Sequence, residues 1–301
     1  MSQNVFKLAA MTIDETTISQ ISEQSVNTGL QEVVQAADDA VDPTYAALMH
    51  GDPVLSFTTS QIAAFLAAVG ISGKEISSSV NMYFTKTAEQ GINATAGQSI
   101  QVAVSKGLIL PRRIQAAQGS VARIMFDVIA VSTDGLTNPL AATTGGTSPS
   151  SGVSQLYTAG PLKLNGTDDE GVQSMDFDFG LTGKPLRHSG LVYPVRTHIE
   201  SRRPSFRFTT TNALALTTLG AGGTAQGSTD SVAWLRKLDR LGARVANNAS
   251  EHISFTLDDG VWRVNSLGGS FPSEAAAEIE WVPAYDGSNA IVVISTGAAI
   301  T

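Results

Sequence analysis

The chain has 301 residues, no cysteine and 28 glycines, and carries a formal charge of −8 at neutral pH. The missing cysteines exclude disulfides, thiolate metal sites and a cysteine nucleophile. The acidic balance argues against a protein that grips nucleic acid through its phosphates, and the length suits two ordinary domains.

Residues Met1 to Thr12 offer only Leu8-Ala9-Ala10-Met11 as an apolar stretch, too short for the core of a secretory signal, so production in a cytoplasm is expected. Val54-Leu55-Ser56-Phe57-Thr58 predicts a strand. Ser60 can cap a helix over Gln61–Val69 that Gly70 ends. Val80-Asn81-Met82-Tyr83-Phe84 predicts another strand. Gln101–Val104 and Leu108–Leu110 flank Lys106-Gly107 and read as a hairpin. Residues 143–155, rich in glycine, serine and threonine, have the composition of a linker and divide the chain into domains 1–142 and 156–301. Beyond it, Met175-Asp176-Phe177-Asp178-Phe179 alternates strictly, which predicts a half-exposed strand. Ser205–Thr209 and Val232–Leu235 predict strands, and Thr211 can cap a short helix over Asn212–Leu219 that Gly220 stops. His252–Leu257 turns at Asp258-Asp259-Gly260 into Val261–Val264, a second predicted hairpin. No apolar run reaches the roughly 18 residues that a membrane-spanning helix needs.

The two halves repeat one pattern. Gly29-Leu30 recurs as Gly180-Leu181, Pro43 as Pro194, Pro53 as Pro204, and Phe57-Thr58-Thr59 as Phe208-Thr209-Thr210, all 151 residues later. Gly70 and Gly220, Lys86 and Lys237, Gly91 and Gly242, Gly107 and Gly260, Asp134-Gly135 and Asp286-Gly287, and Asn138 and Asn289 keep the same order, with offsets of 150 to 153. Most are turn residues, which record a shared backbone path. The expected fold is mainly β: two tandem, homologous β-sandwich or barrel domains of about 150 residues, each with one short flanking helix.

Catalytic signatures are sparse. His50, His188, His198 and His252 are isolated, outside any zinc-binding spacing. Gly220 to Ala225 fits a loose dinucleotide fingerprint, yet it follows a predicted helix instead of a strand. The acidic groups Asp38-Asp39 with Asp42, Asp168-Asp169-Glu170 and Asp258-Asp259 lack the spacing of a calcium loop. Neither catalysis, a cofactor nor a metal is expected. One charge pattern is informative. Residues 31–52 hold Glu32, Asp38, Asp39, Asp42 and Asp52 without a cation, a sum of −5; residues 182–203 hold Lys184, Arg187, Arg196, Arg202 and Arg203 against Glu200, a sum of +4. Two copies of one segment carry opposite charge, so these ten residues are candidates for a contact between the first repeat of one subunit and the second repeat of another.

With the duplication, the Pro-x-x-x-Phe-Thr-Thr stretches and the closing Tyr285-Asp286-Gly287-Ser288-Asn289-Ala290-Ile291, the chain resembles the major tail (tail tube) proteins of tailed bacteriophages, including those with two fused tube domains. The resemblance implies a non-enzymatic virion protein assembled in the host bacterial cytoplasm. Its partners would be itself, as homotrimeric rings of pseudo-sixfold symmetry stacked into a tube, and other phage tail proteins. DNA would pass through the bore without specific binding. The alternative is another virion component with duplicated β domains, such as a capsid decoration or tail adaptor protein.

Overall fold

Alternation of apolar and polar residues writes most of this backbone as strand. The computed structural model describes residues 5–38, 41–87, 99–145, 147–149, 155–212, 214–220, 223–226, 231–268, 275–285, 287 and 290–301. The first copy contains β1 (Val5–Ile13), β2 (Thr16–Ile18), β3 (Ile21–Asn27), β4 (Gln31–Gln35), β5 (Tyr45–His50) and β6 (Val54–Thr59). It continues with α1 (Ile62–Val69), β7 (Lys74–Glu75), β8 (Val80–Thr87), β9 (Ser99–Val104), β10 (Gly107–Ala117), β11 (Arg123–Ala130) and β12 (Leu140–Thr144). The second contains β13 (Leu156–Leu164), β14 (Thr167–Asp169), β15 (Val172–Asp178), β16 (Leu181–Leu186), β17 (Arg196–Arg202) and β18 (Ser205–Thr210). It ends with α2 (Leu214–Leu219), β19 (Thr224–Gln226), β20 (Ser231–Leu238), β21 (His252–Leu257), β22 (Gly260–Gly268), β23 (Ala276–Pro283) and β24 (Val292–Ala298).

Both copies follow one topology. An outer sheet of order β12-β9-β8-β1-β2 in the first matches β24-β21-β20-β13-β14 in the second. The inner sheets, β10-β11-β6-β3 and β22-β23-β18-β15, match as well, with β7 on β10 and β19 on β22. Even the bulges recur: Ile21/Glu23 as Val172/Ser174, Gln31/Glu32 as Thr182/Gly183, and Pro111/Arg113 as Val264/Ser266. A bulge needs one extra residue at one register position, so its repetition marks the duplication more firmly than shared glycines do.

Each inner sheet packs its apolar face on the outer sheet of its copy. Leu55, Phe57, Ile124, Phe126 and Val128 fill the first sandwich, and Phe206, Phe208, Trp262, Ile279 and Trp281 the second. α1 closes the first core, with Phe65 and Phe126 ring centroids 4.4 Å apart. Phe126→Ala leaves a void in a fully buried cluster, so the chain is expected to lose about 3–5 kcal/mol of stability, measured by urea unfolding.

Four local expectations need correction. Residues 101–110 and 252–264 form no hairpin: β9 and β21 belong to outer sheets and β10 and β22 to inner ones. Both apolar runs bury inward from facing sheets, so the turn is a corner between layers. A Cβ at Gly107 would collide with the carbonyl oxygen of Ile129, which explains the glycine there. Ser60 does not cap α1; its hydroxyl donates to Gln20 Oε1 at 2.6 Å, although Gly70, with φ of +75°, does end the helix. The second helix is described over Leu214–Leu219, later than the expected start at Asn212, and the Thr211 hydroxyl donates to the Gly171 carbonyl. Thr143 and Thr144 pair with β9, so the connection between copies starts after β12 instead of at residue 143.

Candidate functional site

The two inner sheets join. β15 lies antiparallel on β10, with Ile114 opposite Phe177 and Gln115 opposite Asp176, making one ten-stranded sheet across the chain. β7 takes the other end of the same β10 edge, at Leu108 and Ile109.

The β16–β17 hairpin crosses this junction and covers the first copy. Gly183 and Ile199 pair across the hairpin and face inward. A Cβ at Gly183 would sit 2.6 Å from Leu110 and Ile129, and one at Gly73 3.2 Å from Ile199, so glycine permits close seating. The loop that follows β16 is tied down by backbone. Gly51 N–H donates to Val192 O (2.9 Å), Ser132 N–H to Pro194 O (2.7 Å), and the N–H groups of Val192 and Tyr193 to Gly135 O. Asp134 shapes the receiving turn. It accepts the N–H groups of Thr137 and Leu136 and the hydroxyls of Thr137 and Ser132, which hold its carboxyl well below the usual carboxylate range.

The candidate charged residues divide accordingly. Arg187 and Asp52 form an ion pair between the copies, and Lys184 pairs with Glu200 within its hairpin at 3.3 Å. Glu32, Asp38 and Asp42 lie exposed on the β4–β5 hairpin and the loop between its strands. Arg196, Arg202 and Arg203 are exposed on and just after β17, with Arg202 reaching Ser72 Oγ at 3.5 Å. Among the described residues, none of these six enters an ion pair. Asp39 lies outside the described residues.

A second charged feature escaped the sequence reading. On the polar face of the ten-stranded sheet, Arg263, Glu280, Arg207 and Asp176 stand opposite one another across β22, β23, β18 and β15. Arg263 Nε and Arg207 Nε donate to the two oxygens of Glu280 at 2.7 and 2.9 Å, Asn265 Nδ2 adds a third donor at 3.3 Å, and Arg113 grips Asp176. Burial alone would raise the Glu280 pKa, but the donors Arg263, Arg207 and Asn265 outweigh it and hold it below its ordinary value. The first copy continues the pattern, with Arg112 on Asp127 at 3.3 Å. Glu278-Ile279-Glu280-Trp281 and Phe206-Arg207-Phe208 alternate in sequence, and that period-2 charge was the available signal.

Elsewhere the polar groups serve the fold. His252 is fully buried; its Nδ1 accepts the Lys237 N–H at 3.0 Å and its Nε2 donates to Ala246 O at 2.9 Å. Asp169 accepts Gly171 N–H and the Thr210 hydroxyl within a turn. Among the described residues no cluster of histidine and carboxylate side chains is arranged to hold a metal ion, and no helix is long and apolar enough to cross a membrane. Comparison with models of known families and with curated proteins finds no match for this chain.

Proposed function

We propose that the chain is a non-enzymatic structural virion protein, a tail tube subunit that polymerises with its own copies into stacked rings around a channel for phage DNA. One observation carries the reading: among the described residues, the chain buries one sheet junction and leaves the matching edges open. Inside the chain, β15 on β10 buries Ile114 and Phe177, each 2% exposed. The corresponding positions are Leu267 on β22 and Val26 on β3, 62% and 48% exposed at opposite ends of the sheet. An open apolar edge is a template for another strand. Placing β3 of one chain on β22 of the next repeats the internal junction, a head-to-tail contact that generates rings where the rotation closes. The resemblance to tail tube proteins supplies closure at three chains.

In such a ring the polar face of the inner sheet lines the bore. That face is nearly balanced: Glu23, Glu75, Asp127, Asp176, Asp178, Glu278 and Glu280 stand against Arg112, Arg113, Arg123, Arg207 and Arg263, a net −2. Four of these five arginines are held by carboxylates and offer little to phosphate, so DNA slides without being caught.

Electron microscopy of the purified chain, with light scattering for mass, tests the reading. Rings or hollow tubes built from three chains per ring are expected. A persistent monomer at high concentration overturns the reading, and a closed oligomer that never stacks replaces it with a decoration or adaptor role.

A further inference from the structure

Resting on the ring reading, we propose that the β4–β5 hairpin of one chain docks on the β22–β23 face of the next chain's second domain, and that charge allows it to dock only there. The β16–β17 hairpin supplies the template, because its contact with the first copy is already made inside one chain. Its inward positions Leu181, Gly183 and Ile199 correspond to Leu30, Glu32 and Leu48, 151 residues earlier. Leu30 and Leu48 are exposed, although they occupy the side of the hairpin that is used for packing in the second copy.

The receiving surface shows the same contrast. Leu108 and Ile129, buried under β16–β17, correspond to Val261 and Val282, 153 residues later, and both of these are about half exposed. Two apolar surfaces, matched in position to a pair that is in contact, are thus uncovered at opposite ends of one molecule. A second copy of this chain supplies each with its partner.

Charge differences between the copies fall on this same contact. Where Gly183 meets Leu110 inside the chain, the corresponding pair is Glu32 and Arg263, so an apolar contact is replaced by one between opposite charges. Where Tyr193 lies 3.1 Å from the Cβ position of Gly51, the corresponding pair is Asp42 and Arg202. Where Arg187 pairs with Asp52, the corresponding positions are Ala36 and Arg203, with Asp38 two residues further along the same loop as the carboxylate that can serve Arg203. The wrong pairings are disfavoured: a first-copy hairpin on a first copy sets the Glu32 carboxylate against apolar Leu110 and brings no cation to Asp52, and a second-copy hairpin on a second copy sets Arg187 against Arg203. The contact therefore enforces alternation of first and second domains around the ring through the cost of wrong pairings as much as attraction.

The absence of cysteine makes a direct test clean. A chain carrying Glu32→Cys and Val282→Cys, oxidised after assembly, should run on a non-reducing gel as covalent dimers and trimers. A chain carrying Val26→Cys and Leu267→Cys reports separately on the sheet edges. Edge cross-links without hairpin cross-links, in protein that forms rings, would overturn the docking proposal and leave the ring reading intact. Absence of any assembly in the unmodified chain would overturn both. In parallel, Asp38→Lys with Asp42→Lys should weaken assembly at least about tenfold, more so at low salt, and Arg202→Asp with Arg203→Asp in the same chain should restore much of it. Unchanged assembly in the first of these variants would also sink the proposal.

Discussion

Val26→Asp is expected to abolish ring formation while the isolated chain stays folded. In the lone subunit Val26 is 48% exposed on the open edge of β3, so a carboxylate there meets water, and its cost to folding is expected to stay within about 0.5 kcal/mol. In the proposed ring the same position corresponds to Phe177, which is buried. An unpaired carboxylate buried at that junction costs about 3–5 kcal/mol, a loss of roughly a hundredfold or more in association. The two effects separate by experiment: urea unfolding reads the first, and sedimentation with microscopy reads the second. Leu267→Lys in the same chain sets a cation opposite the new carboxylate and should recover part of the assembly. Rings formed by Val26→Asp at wild-type concentration would remove β3 from the interface, and with it the argument from matching edges.

The fold was legible in the sequence where a residue's partner is its neighbour or its own repeat. Val54–Thr58 and Ser205–Thr209 alternate, and the glycine and proline spacing exposed the duplication before any strand was paired. Partners brought together by the sheet were not legible. Arg207 and Glu280 are 73 residues apart, and only the register of β18 against β23 makes them neighbours. The failed hairpins have a similar cause. Apolar runs on either side of Lys106-Gly107 look alike whether the chain folds back within one sheet or crosses to the facing one, because both arrangements bury the same residues. The β4–β5 and β16–β17 hairpins escaped for another reason. Gly183 and Pro185 interrupt β16, and β4 reads Gln-Glu-Val-Val-Gln, so neither shows a strand alternation. Their opposite charges were visible, but the Arg187–Asp52 pair inside the chain was not.

If the proposed tube forms, Glu280→Gln is expected to turn its bore from one that releases DNA into one that retains it. Glu280 is buried and accepts hydrogen bonds from both Arg207 and Arg263, whose side chains remain 52% and 56% exposed toward the polar face. Removing the carboxylate frees two guanidiniums per chain. Their exposure lets water solvate them, so the cost to folding is expected to be about 1–3 kcal/mol at neutral pH, below that of an enclosed ion pair. The pH dependence has a fixed sign. The folded Glu280 carboxyl titrates below its ordinary 4.5, so its contribution is complete above that value and disappears as pH falls through the depressed one. Wild-type and variant stability curves should therefore converge on acidification below about pH 4.5. In the ring Arg263 lies under the docked β4–β5 hairpin beside Glu32, so the freed Arg207 is the cation presented to phosphate. One phosphate contact per chain gives a salt dependence of about threefold to fourfold in affinity for a fourfold change in salt. Labelled duplex DNA should then be retained by tubes of the variant at low salt and released at high salt, with wild-type tubes retaining little at either. Adding Arg207→Gln and Arg263→Gln to Glu280→Gln should abolish the retention. Variant tubes that hold no more DNA than wild type would mean that this face is turned away from the channel, and that the charge balance across β22, β23 and β18 serves the sheet alone.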